Sequence, residues 1–389
     1  WGDQMSVRSF FPALFLLVFA PACSSAPSEE PQTETVTQAI VDGTDSPASQ
    51  DFAVAIQTAG VVLCTGIAVT PTLVLTARHC IVEGDEVGTD FDSSCRLGTS
   101  IGTPASYKIL VGNDKRSPSA TIGVKRLIVD FSKRTCADDI AAIELETPLS
   151  GITFPRLRMD DLPRPGDSAL GIGWGTVDRP GGTYPDARKQ QVAKFLQIDG
   201  TSFDTTAGTR LVPDGMVVSD ISGCSGDSGG PALDANGNVV GIQSGGANVR
   251  PIDDAMACRG SFTLLVALAR QAAFVERAHQ AVGLMPRRAG HPDPAGLGGA
   301  CSSNAECNSN YCVTNGTSNV CSRSCATTAC ETGFECSSAP GFPICLPVEA
   351  KPSASCSVEP NASVASGYVA ALIAIAGVLT RRRKPGRPS

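Results

Sequence analysis

The placement of cysteine constrains this chain more than any other feature. Of sixteen cysteines, six (Cys64, Cys80, Cys95, Cys136, Cys224 and Cys258) are spread through a long region of short Val, Ile and Leu runs. Eight more crowd between Cys301 and Cys345, and Cys23 and Cys356 stand alone near the two ends. Cysteine used at this density implies an oxidising compartment. The segment 300–346 is too short to build a sufficient apolar core, so bridges must hold it. It contains no histidine and no two CxxC pairs, which argues against a zinc site there. It reads as a spacer or a substrate-docking module, and its spacing does not select one bridge pairing.

The stretch "GCSGDSGGP", Gly223–Pro231, raises a chemical question. Gly, Ser and Asp are ordinary turn formers, but Ser228 could also be a nucleophile, which needs a base within hydrogen-bond reach. The chain has three histidines. His279 lies in a polar, helical-looking stretch and His291 in "RAGHPDPAG", a linker composition, and both read as surface residues. His79 sits in "LTARHC" at the end of an apolar run, and a Cys64–Cys80 bridge across sixteen positions would fix its turn. The acid to orient it is Asp139, in "DDIAAIEL", with Asp138 its rival. Neighbours on an extended strand point to opposite faces, so one at most faces His79.

"IVDG" at Ile40, "LTARHC", "DDIAAIEL", "GWG" at Gly173 and "GCSGDSGGP", in that order, resemble a trypsin-like (chymotrypsin-fold) serine protease, over roughly Ile40 to Gly283. The order His, Asp, Ser is that family's. The resemblance implies an all-β domain of two six-stranded antiparallel β-barrels with the catalytic residues His79, Asp139 and Ser228 in the cleft. It also implies a C-terminal helix, matched by "FTLLVALARQAAFVERAHQAVG". Gly226 and Ser228 would offer their N–H groups to the oxyanion. Cys64–Cys80 and Cys224–Cys258 match bridges of the family; Cys95–Cys136 remains, without a counterpart. By family spacing Ser222 lies at the base of the specificity pocket, where a trypsin-type pocket has Asp, and Asp220 is two positions too early. Gly246 and Gly260 match the pocket walls, and Ser244 the residue that backs the acid and pairs with substrate backbone. A neutral floor with open walls favours a large apolar or aromatic residue before the scissile bond (P1). An acid at Asp253 or Asp254 reaching the pocket would select Arg or Lys instead. No cofactor or metal is implied.

In this family the acid before the nucleophile, here Asp227, pairs with an amino terminus made by activation cleavage, which would be Ile40. The resemblance therefore implies a zymogen cut between Ala39 and Ile40. Two departures stand out: Asp42 replaces the usual Gly, and Ala39 replaces Arg or Lys, so the activating protease must prefer small residues. A different class also fits the family: an inactive homologue serving as a surface binding protein. Such proteins usually lose a catalytic residue or the glycines, and all are present here.

The remaining segments speak to location. From Met5, the first expected translated residue, "MSVRSFFPALFLLVFAPACSS" reads as an export signal, 5–23. It ends either at cleavage after Ala22 or at a lipidated Cys23. A polar propeptide, 24–39, leads to the protease, 40–285. A linker, 286–299, leads to the disulfide-rich module, 300–346, and a second linker, 347–363, to an uncharged stretch, 364–380, long enough to span a membrane. A basic tail, 381–389, would remain cytoplasmic. A Cys before a short span and an arginine cluster resembles C-terminal sorting tails of myxobacterial surface proteins, processed here at Cys356; the alternative is a permanent anchor. Expected partners are protein or peptide substrates, the activating protease and the membrane. The net charge of −7 argues against nucleic acid. The protein is expected to be exported, at the cell surface or outside the cell.

Overall fold

The computed structural model describes residues 40–83 and 96–348, less 134, 206, 207, 248, 252, 327 and 339–341. The export signal with Cys23, the propeptide, Cys95, Cys356, the apolar span 364–380 and the basic tail lie outside the described residues. Among the described residues no helix is long and apolar enough to cross a membrane.

Two antiparallel barrels form from runs rich in β-branched residues, which pack well on a pleated surface. The first comprises β1 (Ala53–Thr58), β2 (Val61–Thr70), β3 (Leu73–Thr76), β4 (Tyr107–Val111), β5 (Ala120–Ile128) and β6 (Ala141–Leu145). It closes in the order β1-β2-β3-β6-β5-β4. Its first hairpin turns on Ala59 and Gly60, both at positive φ (49° and 81°), as a two-residue turn matched to strand twist requires. Ile56, Ile67, Leu73, Leu75, Ile109 and Ile143 are all fully buried and belong to one core cluster.

The second comprises β7 (Ser168–Gly173), β8 (Lys189–Ile198), β9 (Met216–Ser219), β10 (Pro231–Leu233), β11 (Val239–Ala247) and β12 (Phe262–Ala267). They pair in the order β8-β7-β10-β11-β12-β9, and β9 returns to β8. Helix α1 (Ala272–Ala281) follows and buries Phe274, Val275, Ala278 and His279. The helix is shorter than the sequence pattern implied, because "FTLLVA" is β12. A wholly apolar run serves a buried strand as well as a buried helix, and periodicity cannot separate them.

Arg188, fully buried, ties the barrels together. Its guanidinium donates to Ser46 Oγ (2.8 Å), Ala53 O (2.9 Å), Gly112 O (3.0 Å), Pro47 O (2.9 Å) and Asp51 Oδ1 (3.1 Å). The last is a carboxylate, so the buried charge is paired.

The segment 286–299, a linker by composition, is an ordered strap. Leu157 N–H donates to Arg287 O (2.8 Å) and Ala289 N–H to Leu157 O (2.9 Å). Asp160 takes Arg288 and, at 2.7 Å, His291. Ala295 and Glu306 then join the strap to the module by a 2.7 Å backbone bond. The module itself is two similar halves. Cys301–Cys312 and Cys307–Cys321 cross-link the first; Cys325–Cys336 and Cys330–Cys345 repeat the pattern in the second. Each half carries one hairpin, β13 (Cys312–Thr314) with β14 (Asn319–Cys321), and β15 (Phe334–Ser337) with β16 (Ile344–Pro347).

Candidate active site

Three short connections meet between the barrels. His79 lies in a single 3-10 turn, Arg78–Cys80, directly after β3. The Cys64–Cys80 bridge fastens that turn to β2. Asp139 ends a second such turn, Cys136–Asp138, just before β6. Ser228 lies in the loop from β9 to β10. Asp139 is buried and accepts three hydrogen bonds: from His79 N–H (2.9 Å), at His79 Nδ1 (2.7 Å) and from Ser244 Oγ (2.6 Å). Burial pushes its carboxyl up, but the His79 charge and these hydrogen bonds outweigh burial and hold it below the usual carboxylate range. It therefore stays ionised and fixes the imidazole with Nδ1 turned inward.

Asp138 does different work. It accepts from Thr135 N–H (3.3 Å) and Thr135 Oγ1 (2.5 Å) as a capping box, and from Gln271 Nε2 (3.2 Å). The two acids part because they end a turn, not because they alternate on a strand, which begins only at Ala141.

The Ser228 loop is held by the first barrel. Thr65 N–H on β2 donates to Ser228 O (2.8 Å) and Thr65 Oγ1 to Gly226 O (2.8 Å). Two glycines permit this approach. Gly229, at φ 84°, has no room for a Cβ, which would lie 2.1 Å from Thr65 O and from Thr76 Oγ1. Gly226, at φ 101°, would press a Cβ to 2.9 Å from the Gly175 Cα. The Gly226 and Ser228 N–H groups have no acceptor among the described residues, while the intervening Asp227 N–H is taken by Cys224 O (3.0 Å). That pair is a ready site for a developing oxyanion. The Ser228 hydroxyl donates weakly to Ser244 O at 3.5 Å.

Asp227 is buried behind this loop. Its carboxylate accepts from Gly175 N–H (2.8 Å) and Cys224 N–H (2.9 Å). Burial raises its carboxyl to about 7 against those two bonds, since no side-chain cation reaches it among the described residues. Ile40, fully buried, packs with Phe195, Val217 and Ile221, and Val41 N–H donates to Ser222 O (3.1 Å). Ile40 has φ 41°, strained for a β-branched residue.

A cleft of about 200 Å³ opens beside Ser228, walled by Gly223, Ser225, Gln243, Gly246, Ser261 and Thr263, with the Cys224–Cys258 bridge at one side. Gly260 N–H donates to Ser222 Oγ (3.1 Å). Ser222 is buried. The described lining mixes hydroxyl, carboxamide and backbone groups with the apolar surface of Pro180 and the Cys224–Cys258 bridge. Asp253 and Asp254 are absent from it, and Asp254 pairs with Arg250. Asp220 points away and accepts from Lys194 N–H. Cys136 is disulfide-bonded, and its expected partner Cys95 lies outside the described residues.

Sequence reasoning overlooked Thr65, Gln243 and Thr263. Gln243 carried a signal: a carboxamide in the otherwise apolar start of "VVGIQSGG".

The profile of the trypsin family matches residues 40–255. Trypsin epsilon of Drosophila erecta is 26% identical over 207 residues, 50% of this chain and 72% of that one. Serine protease 56 of Homo sapiens is 28% identical over 234 residues, 56% of this chain but 35% of the human protein. Thrombin-like enzyme agkihpin-1 of Gloydius halys is 29% identical over 204 residues, 50% of this chain and 78% of that one. Mouse neuropsin, a solved serine protease, shares 20% identity over 61% of this chain and 98% of its own, with a TM-score of 0.46.

Proposed function

The chain belongs to the trypsin family and is a serine-type endopeptidase, and from that premise we propose that His79, Asp139 and Ser228 carry out the hydrolysis in an exported enzyme made as a zymogen. Ser228 Oγ attacks the scissile carbonyl while His79 Nε2 takes its proton. Asp139, ionised and bonded to Nδ1, keeps the ring in the useful tautomer and stabilises its cation. The oxyanion settles against the Gly226 and Ser228 N–H groups, each such donor worth on the order of 3 kcal/mol to the transition state. His79 returns the proton to the leaving amine, and water, deprotonated by the same ring, releases the acyl group.

The observation that supports this reading is the Ser244–Asp139–His79 hydrogen-bond chain beside a serine loop whose Gly226 and Ser228 N–H groups have no acceptor among the described residues. Activation follows from Asp227. A cut between Ala39 and Ile40 would free an ammonium next to the Ser222–Ser228 segment, on which Val41 is already docked. It would also end the φ strain at Ile40 and neutralise a buried carboxylate. The disulfides fit an exported protein; a sorting tail processed at Cys356, leaving the enzyme surface-attached or released, completes the proposal.

The test uses the full chain with an inserted enteropeptidase site before Ile40. After cutting, a fluorophosphonate probe should label Ser228, and Ser228→Ala should lose both labelling and about 10⁶-fold of peptidase rate. Labelling only weakly changed by cutting would refute the zymogen. No labelling of the cut chain would leave a binding protein built on a protease fold.

A further inference from the structure

Arg78 stands beside His79 in the 3-10 turn Arg78–Cys80, and it is buried at 1% exposure. A turn of about three residues sends adjacent side chains about a third of a circle apart. His79 takes one direction, to Asp139, and Arg78 takes another. Its guanidinium donates to Gly98 O (2.7 Å) and Lys133 O (2.6 Å), and more weakly to Asp130 O (3.4 Å). Phe131 covers it, the ring centroid 5.0 Å from Cζ. A fully buried guanidinium is costly unless its N–H groups are bonded, and these bonds reach two segments far apart in sequence.

Both segments bear on the acid. Lys133 lies just ahead of Thr135, which caps the turn Cys136–Asp138 that ends on Asp139. Arg96, just ahead of Gly98, forms an antiparallel bridge with Thr135. Asp130 is pinned to α1, where Arg277 pairs with it at 2.6 Å. Ser132, Lys133 and Thr135 are exposed, so their own burial does little to hold them in place. Arg78 thus grips the approach to Asp139 from the same turn whose next residue, His79, grips Asp139 itself. The base and the acid are joined twice, once directly and once through Arg78.

Resting on the endopeptidase reading above, we propose that Arg78 is a positioning residue for the hydrolysis, its guanidinium holding the Asp139 turn in register with the His79 turn so that the carboxylate meets Nδ1. It touches neither the substrate nor the reacting atoms. Its contribution falls on the chemical step, because a displaced acid no longer keeps the ring in the useful tautomer and orientation. A small displacement of this kind costs up to about a hundredfold in rate. Lysine is no substitute, since its ammonium is a point donor without the planar fork that spans Gly98 O and Lys133 O.

The test measures peptide hydrolysis by the cut full chain, expressed per fluorophosphonate-titrated Ser228 and read well below the melting temperature. Arg78→Met should lower kcat per site by about ten- to hundredfold while KM changes by less than about twofold. In the Asp139→Asn background the same substitution should cost less than about twofold, because its effect passes through the acid. Arg78→Lys, which keeps the charge, should fall between wild type and Arg78→Met, at least about threefold below wild type. A normal rate per site, with only fewer sites or a lower melting temperature, overturns the proposal and leaves the endopeptidase reading intact. A full loss in the Asp139→Asn background does the same. If Arg78→Met does not fold, Arg78→Lys decides, and a rate equal to wild type overturns the proposal. Failure of the wild-type chain to label overturns both.

Discussion

The buried carboxylate of Asp227 makes a pH prediction that separates the uncut chain from the cut one. In the uncut chain its carboxyl stands at about 7, against 3.8 for an ordinary aspartate. On unfolding it returns to the ordinary value. Between about pH 4 and 7 the unfolded chain thus binds fewer protons than the folded one, and stability falls as pH rises. Each pH unit separating the two values is worth about 1.4 kcal/mol, so the whole window amounts to ~4 kcal/mol. For a domain of this size that is roughly 8–16 °C of melting temperature.

A second buried group acts oppositely in the same window. His279 donates through Nδ1 to Val275 O at 2.7 Å, and burial lowers its imidazole to about 4 from 6.5. Its contribution is lost as pH falls from about 6.5 toward 4. A single melting curve would mix the two. The difference between cut and uncut chains cancels His279, which is the same in both. The assay is thermal unfolding from pH 4 to 8 of the Ser228→Ala chain, before and after cutting ahead of Ile40. Near pH 4 the two forms should melt close together. By pH 8 the cut form, its carboxylate paired with the Ile40 ammonium, should melt higher by about the full amount above. Parallel curves across the range would refute the reasoning.

Three further outcomes follow from single contacts. Gly229→Ala forces a Cβ against Thr65 O and Thr76 Oγ1 at positive φ, and should slow fluorophosphonate labelling by about a hundredfold or more, with a stability loss of about 1–3 kcal/mol in urea unfolding. Arg188→Met strands Asp51 and four other acceptors between the barrels, and should cost about 3–5 kcal/mol, read as a lower melting temperature. Asp160→Asn removes the carboxylate shared by Arg288 and His291, and should speed limited proteolysis within 286–299 by about fivefold or more while leaving peptide hydrolysis unchanged.

The barrels were legible because their strands announce themselves locally, as in "VVLCTGIAVT" and "LVLT", and because short motifs fix where the chain turns. The strap was not legible. Pro, Gly and Arg make a linker composition, and distant residues such as Asp160, Glu276, Leu157 and Arg156 convert it into a docked segment. The two halves of the module were hidden in plain spacing. Bridge separations of 11 and 14 in the first half recur as 11 and 15 in the second. His279 read as a surface residue because its neighbours are polar, yet it is fully buried on the inner face of α1.

The wall of the specificity cleft shows most clearly what linear spacing omits. Counting along the chain matched Gly246 and Gly260 to the pocket walls. Pairing sets Thr263 across from Gly246 in the β11–β12 ladder. The ladder slips between Gln243 and Gly245, where one strand carries an extra residue. That bulge falls at Ser244, whose hydroxyl reaches Asp139 while Gln243 keeps its own side chain on the cleft. One irregularity thus sets the acid's third hydrogen bond and the wall of the pocket together. A count of residues assumes an unbroken ladder, so it finds Ser244 from its own motif but cannot tell which residue of the next strand stands across from Gly246.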